Sequence, residues 1–491
     1  MSHKNSGNVD RRLLVAAHRA MAAYDLLAEY PGRLLAEVEN LHEPARGEGN
    51  GIANLCHMPW VSIDNDDSLD LDQLSVAEAQ KDGHVRIMVA VADVDALVHK
   101  GSWLDRFAET NTTSVYTAAG NFPMLPNKLS TNLTSLNEGE DRLAIVIEML
   151  VDAQGDIRDS GIFRAMVRNK AKLAYGSVSD WLDGKADIPE KLQGAPDLAD
   201  QVKLQDKVAA AMKALRHSRG ALSLETAETR AVFKKGLLDD LKPSMNNRAE
   251  DLIEDLMVAA NGVVARFLEH KGFPSLRRVL RSPERWSRIV SLAAEYHVRL
   301  PNVPDGKALE LFLAKRRKAS PDTFSDLSVS IVKLLGRGEY VLEVPGENVG
   351  GHFGLAVNDY SHATAPNRRF PDLVAHRLIK AALAGEKSPY ASKELEIIAA
   401  HCTEQEHNAT KVERQVSKSA AALLLEKRVG EVFDGIVTAA SSKGTWVRIS
   451  DPMAEGKLLS GHDGIDVGDH VRVRLDKIKV DGGFIDFRRV F

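Results

Sequence analysis

Ser62-Ile63-Asp64-Asn65-Asp66-Asp67-Ser68-Leu69-Asp70-Leu71-Asp72-Gln73-Leu74 packs five aspartates into nine positions, with apolar residues threaded between them. In extended chain, side chains two apart share a face. Asp70 and Asp72 then project together, and Asp64 reaches the same point if Asn65 to Ser68 turn. Carboxylates this crowded repel one another unless something positive sits among them. Oxygen-only ligands select a hard cation, and Mg²⁺ held by a few carboxylates plus a substrate phosphate is the common case. A solvated acidic turn is the competing reading, and the commoner one for an isolated Asp-rich loop. Against it, the run leads through Asp82-Gly83 into Val85-Arg86-Ile87-Met88-Val89-Ala90-Val91, which reads as a buried strand. An EF-hand loop is excluded. Counted from Asp64 or Asp66, the sixth position is Leu69 or Leu71 in place of glycine, and the twelfth is Ser75 or Ala77 in place of glutamate.

The chain of 491 residues has room for several domains. Its 44% hydrophobic and 27% charged content is that of an ordinary globular protein. A net charge of −5 argues against coating nucleic acid by bulk positive charge but allows a local basic channel. Cys56 and Cys402 lack zinc or disulfide spacing, which fits a reducing cytoplasm. No apolar run is long enough to span a membrane, and the N-terminus lacks a signal-peptide core. Asp10, Asp25 and Glu29 argue against reading the basic stretch 11–23 as a transit peptide.

The fold class expected is α+β, in three parts. Residues 1–50 form a helical segment (helix over 9–40, broken at Pro31-Gly32) and a linker. Residues 51–428 form a mixed α/β domain. Residues 429–491, with short alternating strands and regular glycines, form a five-stranded OB barrel. From Asn247 to Phe267 the periodicity predicts an amphipathic helix, with Glu250, Glu254 and Asn261 as a polar stripe. Arg277, Arg278, Arg281 and Arg285, then 315–318, are basic runs, read as solvated faces with general phosphate attraction. In Ala365-Pro366-Asn367-Arg368-Arg369-Phe370-Pro371-Asp372-Leu373 the prolines bar helix across the arginines, and Asp372 is the expected N-cap of a helix 373–383. Two arginines in a stiff loop beside a helix N-terminus suit a phosphate; pairing of one of them with the aspartates is the alternative. In the barrel, Trp446 and Phe433 are candidate stacking residues, with Arg472, Arg474 and Lys477 on phosphates. Trp446 in the core is the other reading.

The spacing Asp64, Asp70, Asp72 resembles the catalytic signature of the RNase II/RNase R (RNB-domain) family of 3′→5′ exoribonucleases. So do Ser114-Val115-Tyr116 with Phe122-Pro123-Met124-Leu125-Pro126, and Gly351-His352-Phe353-Gly354 with the arginine loop. The family pattern ends in two adjacent aspartates, and here the second is Gln73, a neutral ligand to Mg²⁺ at best. Resemblance implies an RNB-type fold and processive hydrolysis of single-stranded RNA to nucleoside 5′-monophosphates by two Mg²⁺ (Mn²⁺ as alternative). It implies Asp64, Asp70, Asp72 and Gln73 on metal, and Arg368 on the phosphoryl group with Arg369 supporting it. It also places Tyr116 and Tyr175 under bases, Glu254 in the RNA channel and Glu413 near the RNA 3′ end. A core role for Tyr116 and solvated helix edges for Glu254 and Glu413 are the alternatives. The family's N-terminal OB domains find no room here, which implies weaker RNA capture. A monomer in the cytoplasm, with no membrane association and no small-molecule cofactor, completes the expectation; the alternatives are an RNB-fold RNA-binding protein without turnover and a metal-dependent endoribonuclease, which would cut internally and degrade circular RNA.

Overall fold

A computed structural model describes residues 11–47, 51–225, 228–234, 237–244, 246–441 and 444–490. Its first nine strands are β1 (Ile52–Asn54), β2 (Val61–Asp64), β3 (Gln73–Ala79), β4 (Val85–Ala92), β5 (Val115–Thr117), β6 (Gly120–Phe122), β7 (Asp141–Val151), β8 (Ile157–Arg168) and β9 (Ala171–Ala174). Seven of them build one mixed sheet, ordered β1-β8-β7-β4-β3-β2-β9, while β5 and β6 form a separate hairpin. The apolar run after Asp82-Gly83 is β4, at the sheet's centre. Ile87, Val89, Ala90 and Val91 are wholly buried there because both faces are covered, which is why the run does not alternate.

The helices are α1 (Arg11–Ala23), α2 (Gly32–Glu39), α3 (Trp103–Asn111), α4 (Tyr175–Leu182), α5 (Pro196–Arg219), α6 (Arg248–His270), α7 (Trp286–Glu295), α8 (Gly306–Ala319), α9 (Pro321–Leu335), α10 (Phe370–Ala384) and α11 (Ser392–Leu425). The helix expected over 9–40 is two helices with a wider break, 24–31; its first two positions lie outside the described residues. Asn247 and Glu250 start α6 with a reciprocal capping box. Its apolar side joins the core of the sheet, as the periodicity predicts. Asn261 corrects the polar stripe. It is 2% exposed, and its Oδ1 accepts the Ala363 N–H at 2.9 Å, because the segment 361–364 crosses α6 there and its backbone needs a partner. The basic run is corrected too. Arg277 is buried against Glu343, Arg278 pairs with Glu406 at 2.8 Å and covers the Tyr340 ring, and Arg281 holds Glu339 at 2.6 Å. Arg277 and Arg278 therefore hold elements together instead of forming an open basic face, while Arg281 stays on the surface, as the sequence leads one to expect.

Strand β10 (Glu228–Lys234) pairs with β11 (Leu237–Ser244), and β12 (Ser275–Val279) with β13 (Glu339–Glu343). The helices α7 to α9 have their own apolar cluster around Phe312 and Ile331, an organisation the sequence reading did not separate out. The expected barrel is present: β14 (Val432–Ser441), β15 (Gly444–Ser450), β16 (Met453–Ser460), β17 (His470–Lys479) and β18 (Phe484–Val490) close in the order β14-β15-β16-β18-β17. The N-terminal α1 packs Leu13, Ala17 and Met21 into one cluster with Val412 and Val416 of α11 and Val473 of the barrel. Arg12–Glu426 and Arg19–Asp481 ion pairs rim that contact. Among the described residues, no helix is long and apolar enough to cross a membrane.

Candidate active site

The acidic stretch starts at the last residue of β2 and ends just before β3. Asp64 Oδ1 accepts the Asn65 N–H at 2.6 Å and the Ser68 hydroxyl at 2.9 Å, which makes the turn that brings the chain back. Lys172 donates to the carbonyls of Asp66 (3.2 Å) and Ser68 (2.5 Å), holding that turn against β9. Farther on, the Ser135 hydroxyl donates to the Leu69 carbonyl at 2.9 Å and accepts the Leu71 N–H at 3.0 Å. The Asp72 carbonyl accepts the Ala92 N–H at 2.9 Å. The stretch is thus fixed at both ends and in the middle.

Onto it comes the arginine loop, far away in sequence. The Asn367 N–H donates to Asp72 Oδ1 at 3.0 Å, and Arg368 Nε lies 3.7 Å from Asp72 Oδ2. The Arg368 carbonyl accepts the Ser114 N–H at 3.0 Å, tying the loop to the segment that leads into Tyr116. The Tyr116 hydroxyl in turn donates to Asp70 Oδ2 at 3.3 Å, and its N–H to Glu413 Oε1 of α11 at 3.2 Å. β2 runs parallel to β9 with Asp64 opposite Ala174, so Tyr175 follows directly at the same corner. Asp64, Asp70, Asp72, Arg368, Tyr116, Tyr175 and Glu413 therefore converge.

Burial pushes the Asp72 carboxyl up to about 7. Arg368 and the Asn367 N–H oppose that shift, and Asp70 adds to it. Asp70 is raised as well, by burial and by the charge of Asp64, with its own N–H, Arg368 and Tyr116 pulling the other way. Burial likewise raises Tyr116 and Tyr175, reinforced by Asp70 and Asp64 respectively, so both phenols stay neutral. One guanidinium is too little positive charge for three inward carboxylates. A divalent cation among them would offset the repulsion, and the all-oxygen donor set suits Mg²⁺. Among the described residues no three acidic or His/Cys side chains close into a ready-made cage.

Other residues sit elsewhere. Arg369 turns inward: its NH2 donates to Asp372 at 2.7 Å, and it is the support of the loop, away from solvent. Asp372 is not the N-cap expected. α10 begins earlier, at Phe370, and Asp372 Oδ1 instead accepts the Ala365 N–H at 2.9 Å. Glu254 is exposed on α6 with Arg216 and Lys213 of α5 near it, and is not among the residues around Asp72. Gln73, first residue of β3, is half-buried. In the barrel Phe433 points inward and is 8% exposed, so it is core and not a stacking face. Trp446 lies between buried Thr445 and Val447, on the outer face. Arg472 and Arg474 also point outward. We expect Phe433→Ala to cost the barrel about 3–5 kcal/mol, read by thermal melting, and Trp446→Ala to leave melting unchanged. Sequence reasoning missed the supports Ser135, Lys172 and Thr134, whose hydroxyl reaches Asn367 Oδ1 at 2.5 Å.

Residues 52–385 match the RNB domain, and residues 431–490 the RNase II-type exonuclease C-terminal S1 domain. The chain is 30% identical to ribonuclease R of Escherichia coli (strain K12), over 96% of this chain and 62% of that one. It is 29% identical to ribonuclease R of Vibrio parahaemolyticus, over 96% and 60%. It thus spans about 60% of the length of these curated relatives. The solved structure of Mycoplasma genitalium RNase R in complex with ribose-methylated single-stranded RNA superposes with a TM-score of 0.87, covering 98% of this chain and 78% of that one at 22% identity. With the acidic stretch, the arginine loop and the terminal barrel in these places, the chain belongs to the RNB family and carries the C-terminal S1 domain of RNase II-type exonucleases.

Proposed function

We propose that this chain is a 3′→5′ exoribonuclease that hydrolyses single-stranded RNA processively to nucleoside 5′-monophosphates. The observation that carries the reading is the meeting of Asp64, Asp70 and Asp72 with Arg368 and Tyr116, joined through the Asn367 N–H bond to Asp72. Asp64, Asp70 and Asp72 would hold Mg²⁺ (or Mn²⁺), with Gln73 a neutral ligand beside them. Bound there, the metal would lower the pKa of an attacking water and neutralise charge on the phosphate oxygens. Arg368, half-exposed beside Asp72, stabilises the charge that builds on the phosphoryl oxygens. Tyr116 gives the terminal nucleotide an exposed ring to stack on, and Glu413 fixes the Tyr116 backbone from α11. Tyr175 closes the corner beside Asp64. The outward Trp446, Arg472 and Arg474 of the barrel hold the strand farther from the cleft.

A time course on 5′-labelled single-stranded RNA tests this. We expect the label to shorten progressively from the 3′ end with Mg²⁺, EDTA to stop the reaction, and circular RNA to survive. Tyr116→Ala should weaken oligo(A) binding by about 1–3 kcal/mol, measured by filter binding, while Tyr116→Phe keeps most of the affinity. Gln73, which removes one charge from the family's acidic set, favours a second reading as an RNA-binding protein without turnover. RNA bound but left at full length in the presence of Mg²⁺ would decide for that reading.

A further inference from the structure

A cavity of about 570 Å³ opens between the C-terminal end of α5, the first turn of α8 and the segment 350–358. None of the aspartates, Tyr116 or Arg368 lines it, so it is separate from the cleft described above. Its size suits a mononucleotide, since small-ligand pockets run from roughly 300 to 1,000 Å³. Among the described residues, none of the side chains lining it is acidic, and two are arginines. Arg219 touches Asp156 at 3.4 Å and Arg281 touches Glu339 at 2.6 Å, yet both guanidiniums are more than half exposed. Ion pairs at that exposure are weak, so each arginine can turn to a phosphate, which a guanidinium grips in two places.

The rest of the lining suits a base. Phe353 and Leu280 give apolar walls. His352 Nδ1 accepts the Leu355 N–H at 3.2 Å, so the neutral ring carries its proton on Nε2 and can donate there. Burial, aided by the charge of Arg278, lowers the ring's pKa to about 4 and keeps it neutral. Gly351 packs so closely on the returning chain that a Cβ would lie 2.3 Å from the Val357 carbonyl oxygen. The rings of His352, Tyr360 and His362 follow one another at 5.8 and 5.4 Å, linking this wall to the segment that carries Arg368.

We propose that this cavity is a second nucleotide-binding site, with a phosphate on Arg219 and Arg281 and a base against Phe353 and Leu280 under the His352 donor. The choice of a nucleotide rests on the ribonuclease reading. Its source is either the released mononucleotide or one nucleotide of a bound strand. The test uses the full chain carrying Asp72→Asn, in EDTA, so that metal-dependent binding in the cleft is silent. AMP and oligo(A) are titrated separately by calorimetry, with and without Arg219→Gln and Arg281→Gln together. AMP binding that weakens about tenfold or more in the double variant supports the site and the mononucleotide. Absence of AMP binding, with oligo(A) weakened to that extent, supports the site with the strand as its source. Affinities for both ligands untouched by the double variant overturn it. Both arginines are exposed, so unchanged melting is expected, and a separate Lys pair at these positions should restore only part of the binding, since lysine keeps the charge without the two-point grip. Intact RNA after incubation of the unmodified chain with Mg²⁺ would sink the ribonuclease reading alone, because these titrations need no turnover.

Discussion

Asp72→Asn should abolish mononucleotide release, lowering kcat by at least ~10²–10³-fold, while binding of oligo(A) changes little and the metal-free protein becomes more stable. The amide keeps the shape of the carboxylate and can still accept the Asn367 N–H, so the arginine loop stays docked. On the proposed function, RNA affinity comes from stacking and phosphate contacts that Asp72 does not make. What is lost is one of the few inward negative charges available to a divalent ion. The stability arm has a definite sign. Burial raises the folded-state pKa of Asp72 to about 7, against about 3.9 in an unfolded chain. The carboxyl therefore costs nothing below about pH 4, its penalty grows as pH rises towards 7, and it is complete above that. In EDTA the Asn variant should melt higher than the parent at pH 8, and the two should converge near pH 4. Mg²⁺ should then raise the melting temperature of the parent more than that of the variant. A variant that melts lower at pH 8 in EDTA, or that still releases AMP at the parental rate, would remove Asp72 from the role given to it.

Much of the cleft was readable before any coordinates because its signals are local. Asp70 and Asp72 share a face through a two-residue period, and the turn at Asn65 to Ser68 is made by residue types that make turns. The closed barrel announced itself in the same way, through alternation such as Val471, Arg472, Val473, Arg474. What stayed hidden depends on contacts between distant segments. Nothing near Ser135 in sequence says that its hydroxyl will fasten Leu69 and Leu71. Asn261 fell on a polar stripe by periodicity, yet it is buried because the segment 361–364 happens to cross α6 at that turn. Phe433 and Trp446 looked alike as stacking candidates, and only strand register decides that one faces in and the other out. Arg277 and Arg278 read as a solvated face because their carboxylate partners, Glu343 and Glu406, lie 66 or more residues away.

Arg368 and Arg369 are adjacent and chemically identical, and we expect them to fail in opposite ways. Arg368 is 44% exposed at its side chain and stands 3.7 Å from Asp72, while its backbone carbonyl, which a substitution keeps, holds the Ser114 N–H. Arg368→Ala should therefore lose about 10²–10³-fold in kcat, the usual cost of removing one group that stabilises charge in the transition state, and melt like the parent near pH 4, where Asp72 is protonated, but lower at pH 8, where Asp72 has lost its countercharge. Arg369 sits over Asp372, whose side chain is wholly buried. Arg369→Ala leaves that carboxylate without its cation, at a cost of about 3–5 kcal/mol, and the loop carrying Arg368 loosens with it. Removing both partners, Arg369→Met with Asp372→Leu, should recover part of the lost stability, since an apolar pair of similar volume avoids the stranded charge. Activity per folded molecule, measured at a temperature where each variant is folded, separates the two roles. It should stay low for Arg368→Ala and rise towards the parental value for the paired substitution. If Arg369→Ala instead melts normally and has lost kcat, then Arg369 reaches the phosphate itself, and the division of labour between the two arginines must be reversed.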